Sequence, residues 1–476
     1  MPTNNWVVLK FGGTSVSGLA QWRVIADLVR ERRARGMRVL VVCSAVAGVT
    51  NDLVALADEP GSEDKLLGVL DRHRQLAVDL GVAADSCIMQ AERMLRACCA
   101  QLRGDNDCAS RAELLATGEW LSTRIGEQFL QQTLQVTWVD AREALHARIE
   151  EELSTARQWL SASCLPGADP ELASRWEKHG HVLITQGFIA RGAKGGTALL
   201  GRGGSDTSAA LFAGRLNASE LEIWTDVPGV FSADPRMLPD ARLLMGLDYE
   251  EALELAASGA GVVHPRCIRT AAATRTPIFI RDSGRPQLAG TRIGASGTDL
   301  PSRRHDGVKA ITCQKGMIVL LMQNIDTRRE VGFLARVFDI FRRHGISIDL
   351  VATSETTTTA AINGPANQLD DTALASVVSE LQTQCSVRVH TDCVCVNLVG
   401  NAVRTALAGL QSTLRFFQDH TLLMMSLSAN DLCLSLLVEN TGHEDLVRQA
   451  HDALIPAGGD AAGVFGESWT QITRSS

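Results

Sequence analysis

Residues 7–43 place a strand, a glycine turn, a helix and a second strand in immediate succession, and few folds can begin that way. Val7-Val8-Leu9-Lys10-Phe11 is a short apolar strand and Gly12-Gly13-Thr14-Ser15 a turn. A helical pattern follows to about Arg35, then the apolar run Val39-Leu40-Val41-Val42-Cys43. Two strands joined by a helix form a βαβ unit, which predicts a parallel sheet and an α/β class.

Further along, helical patterns cover roughly 62–102 and 111–134, and a strand is expected over 181–190. Leu221-Glu222-Ile223-Trp224-Thr225 reads as another strand. It runs into Asp226-Val227-Pro228-Gly229, a strong turn signal. Pro277 to Arg281 is expected to be the last strand of this half, and the Gly, Pro, Ser and Arg of 284–307 a linker. Beyond it, strands are expected at Met317–Leu321, Ile346–Thr353 and Ala360–Ile362, with helices over Phe333–His344 and Asp370–Thr383. A looser second copy has strands at Cys393–Val399, Leu422–Leu427 and Leu432–Val438, and helices over Ala402–Gln418 and His443–Leu454. Two βαββαβ units of this size suggest a tandem ligand-sensing module. The last twenty or so residues, rich in Gly and Ala, are expected to be loosely held.

The stretch Gly201-Arg202-Gly203-Gly204-Ser205-Asp206-Thr207 puts three glycines, a fixed cation, a hydroxyl and a carboxylate into one turn, ahead of an expected helix from Ser208 to Leu216. Glycines admit close backbone approach, and a helix N-terminus offers unpaired N–H groups, so such a turn suits phosphate or carboxylate. It is not a P-loop, since no lysine follows the glycines, and it lacks the third glycine of the dinucleotide fingerprint. Taken alone, a Gly/Ser surface loop is the commoner reading.

A net charge of −8 offers no basic footprint for general nucleic-acid binding. No run approaches the ~20 apolar residues of a membrane-spanning helix. The polar start Met1 to Trp6 gives no sign of a signal peptide. Twelve cysteines without zinc-ligand spacing read as reduced, mostly buried small hydrophobes, with the cytoplasm as the expected compartment.

Together these motifs resemble the aspartokinase family. The carriers are Lys10-Phe11-Gly12-Gly13-Thr14-Ser15, Cys43-Ser44-Ala45-Val46-Ala47-Gly48-Val49-Thr50-Asn51, Gly118-Glu119, Thr185-Gln186-Gly187-Phe188-Ile189, Gly201 to Asp206, and Trp224-Thr225-Asp226-Val227-Pro228-Gly229-Val230. Ser347-Ile348-Asp349-Leu350-Val351-Ala352-Thr353-Ser354-Glu355 resembles the ACT segment of the lysine-sensitive class, and the likeness runs over about 5–456. It implies an amino-acid-kinase fold over 1–298, a mainly parallel sheet between helix layers, followed by two α+β ACT domains. The first would be 314–390, the second, discontinuous, 299–313 plus 391–458, with a tail at 459–476. The implied reaction passes the γ-phosphoryl group of ATP, carried with Mg2+, to the β-carboxylate of L-aspartate under feedback inhibition by lysine, in a homodimer or higher oligomer assembled through the ACT domains.

The same resemblance implies residue roles. Lys10 and Asp206 would be catalytic, Lys10 reaching the transferring phosphoryl group and Asp206 either orienting Lys10 and the loop or helping to hold magnesium. Ser44, Thr50, Glu119, Phe188, Arg202, Gly203 and Ser205 would hold aspartate, with Arg202 clamping the α-carboxylate and Glu119 pairing the ammonium. Gly12, Gly13, Ser15, Thr225, Asp226, Phe231, Asp234 and Arg236 would line the nucleotide. Phe333, Leu334, Ser347, Ile348, Asp349, Thr353, Ser354 and Glu355 would form the lysine site. Two departures stand out: Phe231 where the family commonly has tyrosine, and Gly261 where it has a lysine touching the terminal phosphates. Either Arg266 or Arg236 substitutes for that cation, or the nucleotide sits differently, or activity is low, the last giving the alternative of a catalytically weakened homologue serving as an amino-acid-responsive regulator. A glutamate kinase is the third reading, opposed by Glu119 with Ser44 and Thr50 and by the paired ACT domains.

Overall fold

The computed structural model describes residues 5–104, 107–150, 153–193, 195–295, 305–323, 331–408, 420–456 and 463–474. They form two compact units, Met1–Val230 with Met245–Leu253 and Val262–Pro301, and Phe231–Leu244 with Glu254–Gly261 and Ser302–Ser476.

The first unit is built on an eight-stranded sheet in the order Thr137–Trp138, Val182–Gln186, Arg38–Cys43, Trp6–Phe11, Glu220–Thr225, Ile278–Asp282, Thr291–Gly294, Gly246–Asp248. All pairings are parallel except that between Ile278–Asp282 and Thr291–Gly294. Trp6–Phe11 is buried along its whole length. The helix Leu19–Ala34 is fixed to the sheet by a buried ion pair. Arg32 donates to both carboxylate oxygens of Glu222 at 2.8 and 3.0 Å, and Trp224 Nε1 adds a third bond at 2.9 Å. A bidentate pair with this extra donor offsets the cost of taking two charges out of water.

This topology also makes the crevice. From Trp6–Phe11 the chain moves to Arg38–Cys43 on one side, and it returns as Glu220–Thr225 on the other. The loops leaving the carboxyl ends therefore diverge there, which is where open α/β sheets bind ligands.

Several boundaries differ from those read off the sequence. The helical pattern at 62–102 is two helices, Glu63–Leu80 and Asp85–Gly104, because Gly81 caps the first; Val49–Asp58 is a further helix before them. The strand at 181–190 stops at Gln186 and resumes as Ile189–Arg191 around a left-handed Phe188. Ile278–Asp282 is not the last strand, since Thr291–Gly294 hydrogen-bonds to it within the stretch taken for a linker; residues 296–304 lie outside the described residues.

The second unit centres on a six-stranded sheet in the order Leu350–Thr353, Thr357–Asn363, Gly307–Gln323, Ser386–Asn401, Cys433–Glu439, Leu422–Leu427. Its two central strands, Gly307–Gln323 and Ser386–Asn401, are far longer than expected and run antiparallel through both α+β halves. Only Met317–Leu321 and Cys393–Val399 were expected of them; in the first, polar residues around Gln314-Lys315-Gly316 and a register shift between Gln314 and Met317 interrupt the apolar run. One half buries Leu320, Val337, Phe341, Ile362, Val377 and Leu381 beneath the helices Phe333–Arg343 and Asp371–Leu381. The other carries Val403–Ala408 and His443–Leu454; the rest of the helix expected to 418 lies outside the described residues over 409–419.

Residues 459–476, read as a loose tail, are instead packed over 464–474. Phe465–Ser468 pairs with Arg242–Leu244, and Trp469–Arg474 is helical. The sequence hides this because the pairing partner lies far away in the chain. No helix among the described residues is long and apolar enough to cross a membrane.

Candidate active site

Lys10 sits at the carboxyl end of the central strand, and its Nζ lies 2.5 Å from Asp206 Oδ1, both side chains mostly buried. Asp206 lies in the first turn of the helix Gly204–Arg215, which therefore begins inside the glycine turn rather than at Ser208. Peptide dipoles favour a carboxylate there. The pair joins the glycine-rich turn after the first strand to the turn at 201–206. Beside it, burial pushes the thiols of Cys43 and Cys267 well above their ordinary range, so neither serves as a nucleophile.

The turn at 201–206 is shaped by close packing. Gly203 caps the helix at φ +66°, and a Cβ on it would lie 2.3 Å from the His264 ring. A Cβ on Gly187 would come within 2.8 Å of Ser205. Phe188 holds φ +68°, a costly conformation for an aromatic residue, and its N–H donates to Ser208 Oγ at 3.1 Å. Such strain persists only where the surroundings fix it. Arg202 is exposed and has no hydrogen bond or ion pair among the described residues, leaving its guanidinium available to a ligand.

Arg266 is not available in that way. It donates to the Leu200 carbonyl at 2.5 Å and to the Ala162 carbonyl at 2.8 Å, so it braces the entry to the turn. The expectation that Arg266 replaces the missing cation fails on this geometry. Arg236 binds Asp234 through Nε and Nη2 at 2.8–3.2 Å. Both belong to the second unit, as do Phe231 and Gly261.

Glu119 lies on the helix Cys108–Gln131, is 3 % exposed, and leaves Oε2 without a hydrogen-bond partner among the described residues. Burial pushes its carboxyl up to about 8, opposed by the backbone N–H of Ala45 and its own. Ala45 is the meeting point of two motifs: a Cβ on Gly118 would lie 2.9 Å from its methyl, and one on Gly13 the same distance from its carbonyl. Ser44 follows the strand Arg38–Cys43, and its carbonyl accepts from Ser122 Oγ at 2.7 Å. Thr50, half-buried, stands in the first turn of Val49–Asp58.

On the other side of the central strand, Ser15 is buried with its hydroxyl 3.2 Å from that of Ser283, which donates to the Thr225 carbonyl at 3.0 Å. The Ser15 hydroxyl is thus engaged with its neighbour. Gly12 lies close to Lys10, with Nζ 3.7 Å from where a Cβ would stand. Thr225 Oγ1 donates to Asp226 at 3.1 Å. Phe231 is 7 % exposed, its ring packed edge to face on Trp469, so little of it is open to a ligand. Sequence reading missed Ser122, Ser283 and His264 and named Arg266 only as a substitute cation, since their contacts are distant in the chain; His264-Pro265-Arg266 at a helix start was an available signal.

In the second unit Phe333 and Leu334 open the helix Phe333–Arg343. Ser347, Ile348 and Asp349 precede the edge strand that ends at Thr353. Asp349 accepts from the Asn363 N–H at 2.7 Å, and burial raises its carboxyl above the usual range. Ser354 Oγ and Thr357 Oγ1 are 2.7 Å apart, and Glu355 is exposed.

The profile of the amino acid kinase family matches residues 5–282. Lysine-sensitive aspartokinase 3 of Escherichia coli (strain K12) is 32 % identical over 463 residues, covering 94 % of this chain and 99 % of that protein. The crystal structure of E. coli aspartokinase III with aspartate and ADP (R-state) superposes with a TM-score of 0.76 at 30 % identity, covering 94 % of this chain and all of that one. Its complex with lysine and aspartate (T-state) gives 0.75 at 31 %, covering 95 % and all of that chain.

Proposed function

The chain belongs to the amino acid kinase family, as an aspartokinase that phosphorylates aspartate, and we propose that it works through Lys10, Asp206, Glu119 and Arg202 under inhibition by lysine. The observation that carries this reading is the Lys10–Asp206 ion pair at the point where the sheet's loops diverge. Phosphoryl transfer asks for two anions held in line with their charge offset. Lys10 supplies the cation at the transferring group, and Asp206 holds it in place. The β-carboxylate of aspartate is already ionised near neutral pH, so its attack on the γ-phosphorus needs no general base, and the bond to the ADP oxygen breaks. Mg2+ enters with ATP as part of the substrate.

Aspartate specificity follows from unused bonding capacity. Glu119 Oε2 is a buried acceptor awaiting a donor, which the substrate ammonium provides. Arg202 is exposed and unpaired among the described residues, suited to grip the α-carboxylate in bidentate fashion. Ser44 and Thr50 complete the pocket, with Phe188, Gly203 and Ser205 shaping its wall. Gly12, Gly13, Ser15, Thr225 and Asp226 are assigned to the nucleotide, and Phe231, Asp234 and Arg236 are added by resemblance to the family alone.

Regulation follows from Asp349 and Glu355, two carboxylates suited to a ligand with two ammonium groups, together with Phe333, Leu334, Ser347, Ile348, Thr353 and Ser354. Assembly through the ACT domains and a cytoplasmic setting accompany this reading. A coupled ADP-release assay with Mg-ATP tests it: L-aspartate supports turnover, glutamate does not, and lysine suppresses the rate. Absence of aspartate-dependent turnover overturns the catalytic assignment. Inhibition by threonine and not lysine overturns the regulatory one.

A further inference from the structure

The segment Phe231–Leu244 is held by residues that come more than two hundred positions later. Ser232 is fully buried, with its hydroxyl 2.8 Å from Nε2 of His451 on the helix His443–Leu454. The same hydroxyl accepts from the Arg242 N–H at 2.8 Å, and the Ser232 carbonyl accepts from Ile311 N–H at 2.7 Å. Arg242 in turn donates to the carbonyls of Pro456, Phe465 and Gly466.

A second hold comes from the closing segment. Phe465–Ser468 pairs antiparallel with Arg242–Leu244. Trp469 N–H donates to the Ala241 carbonyl at 2.9 Å, and Thr470 gives both its N–H and its hydroxyl to the Pro239 carbonyl. The indole meets the Phe231 ring edge to face, centroids 5.7 Å apart at 82°. Among the described residues the Asp234–Arg236 turn bonds only locally, with the Met237 and Leu238 N–H groups donating to the Asp234 carbonyl at 3.0 and 2.8 Å. Its arginine side chain is 90 % exposed and pairs with Asp234, so the turn stands where Phe231 and Ser232 put it.

We infer that Trp469 and His451 are positioning residues for the nucleotide, fixing the Phe231–Arg236 turn from behind. Nucleotide affinity is therefore set in part by the closing segment and by the last regulatory helix. This rests on the assignment of Phe231, Asp234 and Arg236 to the nucleotide side. Neither residue touches the reacting atoms, so their loss acts on nucleotide binding and spares aspartate.

The test is steady-state kinetics on the full chain with Trp469→Ala, Trp469→Phe, His451→Ala and His451→Gln, with ADP binding by calorimetry. Loss of an edge-to-face pair or of one buried hydrogen bond corresponds to about a threefold to tenfold rise in KM for Mg-ATP and in the ADP dissociation constant. The KM for aspartate stays within about twofold, and the Phe and Gln variants, which keep the aromatic contact and the hydrogen bond, recover most of the loss. Thermal melts identify any variant that merely unfolds, and the two conservative variants then carry the test. An unchanged KM for Mg-ATP in folded variants overturns the inference, as does an equal rise for both substrates. Arg236→Ala is the control: if it too leaves KM for Mg-ATP unchanged, the nucleotide-side assignment fails, and the brace is left with nothing to position.

Discussion

Gly203 and His264 are in such close register that a methyl group on the glycine would lie 2.3 Å from the imidazole ring. The start of the helix Pro265–Thr274 is thus built against the start of Gly204–Arg215. Two helix N-termini meet with the glycine-rich turn between them, and Asp206 stands in the first turn of one of them.

Arg266 braces the same turn through two carbonyls, so its loss acts on geometry rather than on charge. Arg266→Lys cannot span both acceptors as a planar fork does. We expect its KM for aspartate to rise about tenfold, as misplacement of a substrate clamp does, with KM for Mg-ATP little changed. A rise confined to Mg-ATP, measured in the same assay, contradicts the brace.

Lys10→Ala removes the cation proposed to act at the transferring group. The expected fall in kcat is on the order of 10²–10³-fold, the scale for losing one preorganised charge contact. Asp206→Asn leaves the ammonium present but loosely aimed, so its kcat falls less than that of Lys10→Ala. Single-turnover rates with saturating substrates compare the two.

Glu119 gives a pH dependence of definite sign. In the free protein burial pushes its carboxyl up to about 8, and the proposed pairing with the substrate ammonium requires the ionised form. Aspartate binding therefore releases a proton below that pH. KM for aspartate should fall as pH rises from about 6 towards 8 and level off above it. Glu119→Gln should raise KM and flatten the profile. For folding the sign is opposite: the unfolded carboxyl ionises near about 4.3, so this group's contribution to stability is lost as pH climbs from there to 8. Proton release measured by calorimetry in two buffers checks the first statement.

Gly261→Lys should fold normally. A Cβ at that position has only the Gly259 carbonyl near it, at 4.0 Å. Because Arg266 is engaged with two carbonyls, it does not stand in for the missing cation. We expect a gain in kcat/KM for Mg-ATP of roughly tenfold or more; an unchanged value shows that another cation already fills the role.

Much of the first unit was legible in the sequence. Lys10-Phe11-Gly12-Gly13 and Val39–Cys43 announce a parallel sheet because strand, turn and helix each write their own local pattern. Glu119 and Asp206 were reachable only through the motifs around them, since a lone carboxylate carries no local signature. The helix break at Gly81 was missed because a glycine inside a periodic run can be tolerated at a cost of about 1 kcal/mol as well as end the helix. The long strands Gly307–Gln323 and Ser386–Asn401 were missed for a related reason: a bulge with polar residues looks like a loop until a partner strand pairs across it.

The sequence by itself determined the order of strands and helices, the kinase motifs and the regulatory repeat, all of which depend on residues within a few turns of one another. It took the folded chain to show that Arg266 bonds the Leu200 and Ala162 carbonyls, that Phe231 packs on Trp469, and that residues 465–474 are a strand and helix rather than a tail. Each of these depends on a hydrogen bond or ring contact between residues far apart in the chain. Their free energy exists only once the sheets have brought those residues together.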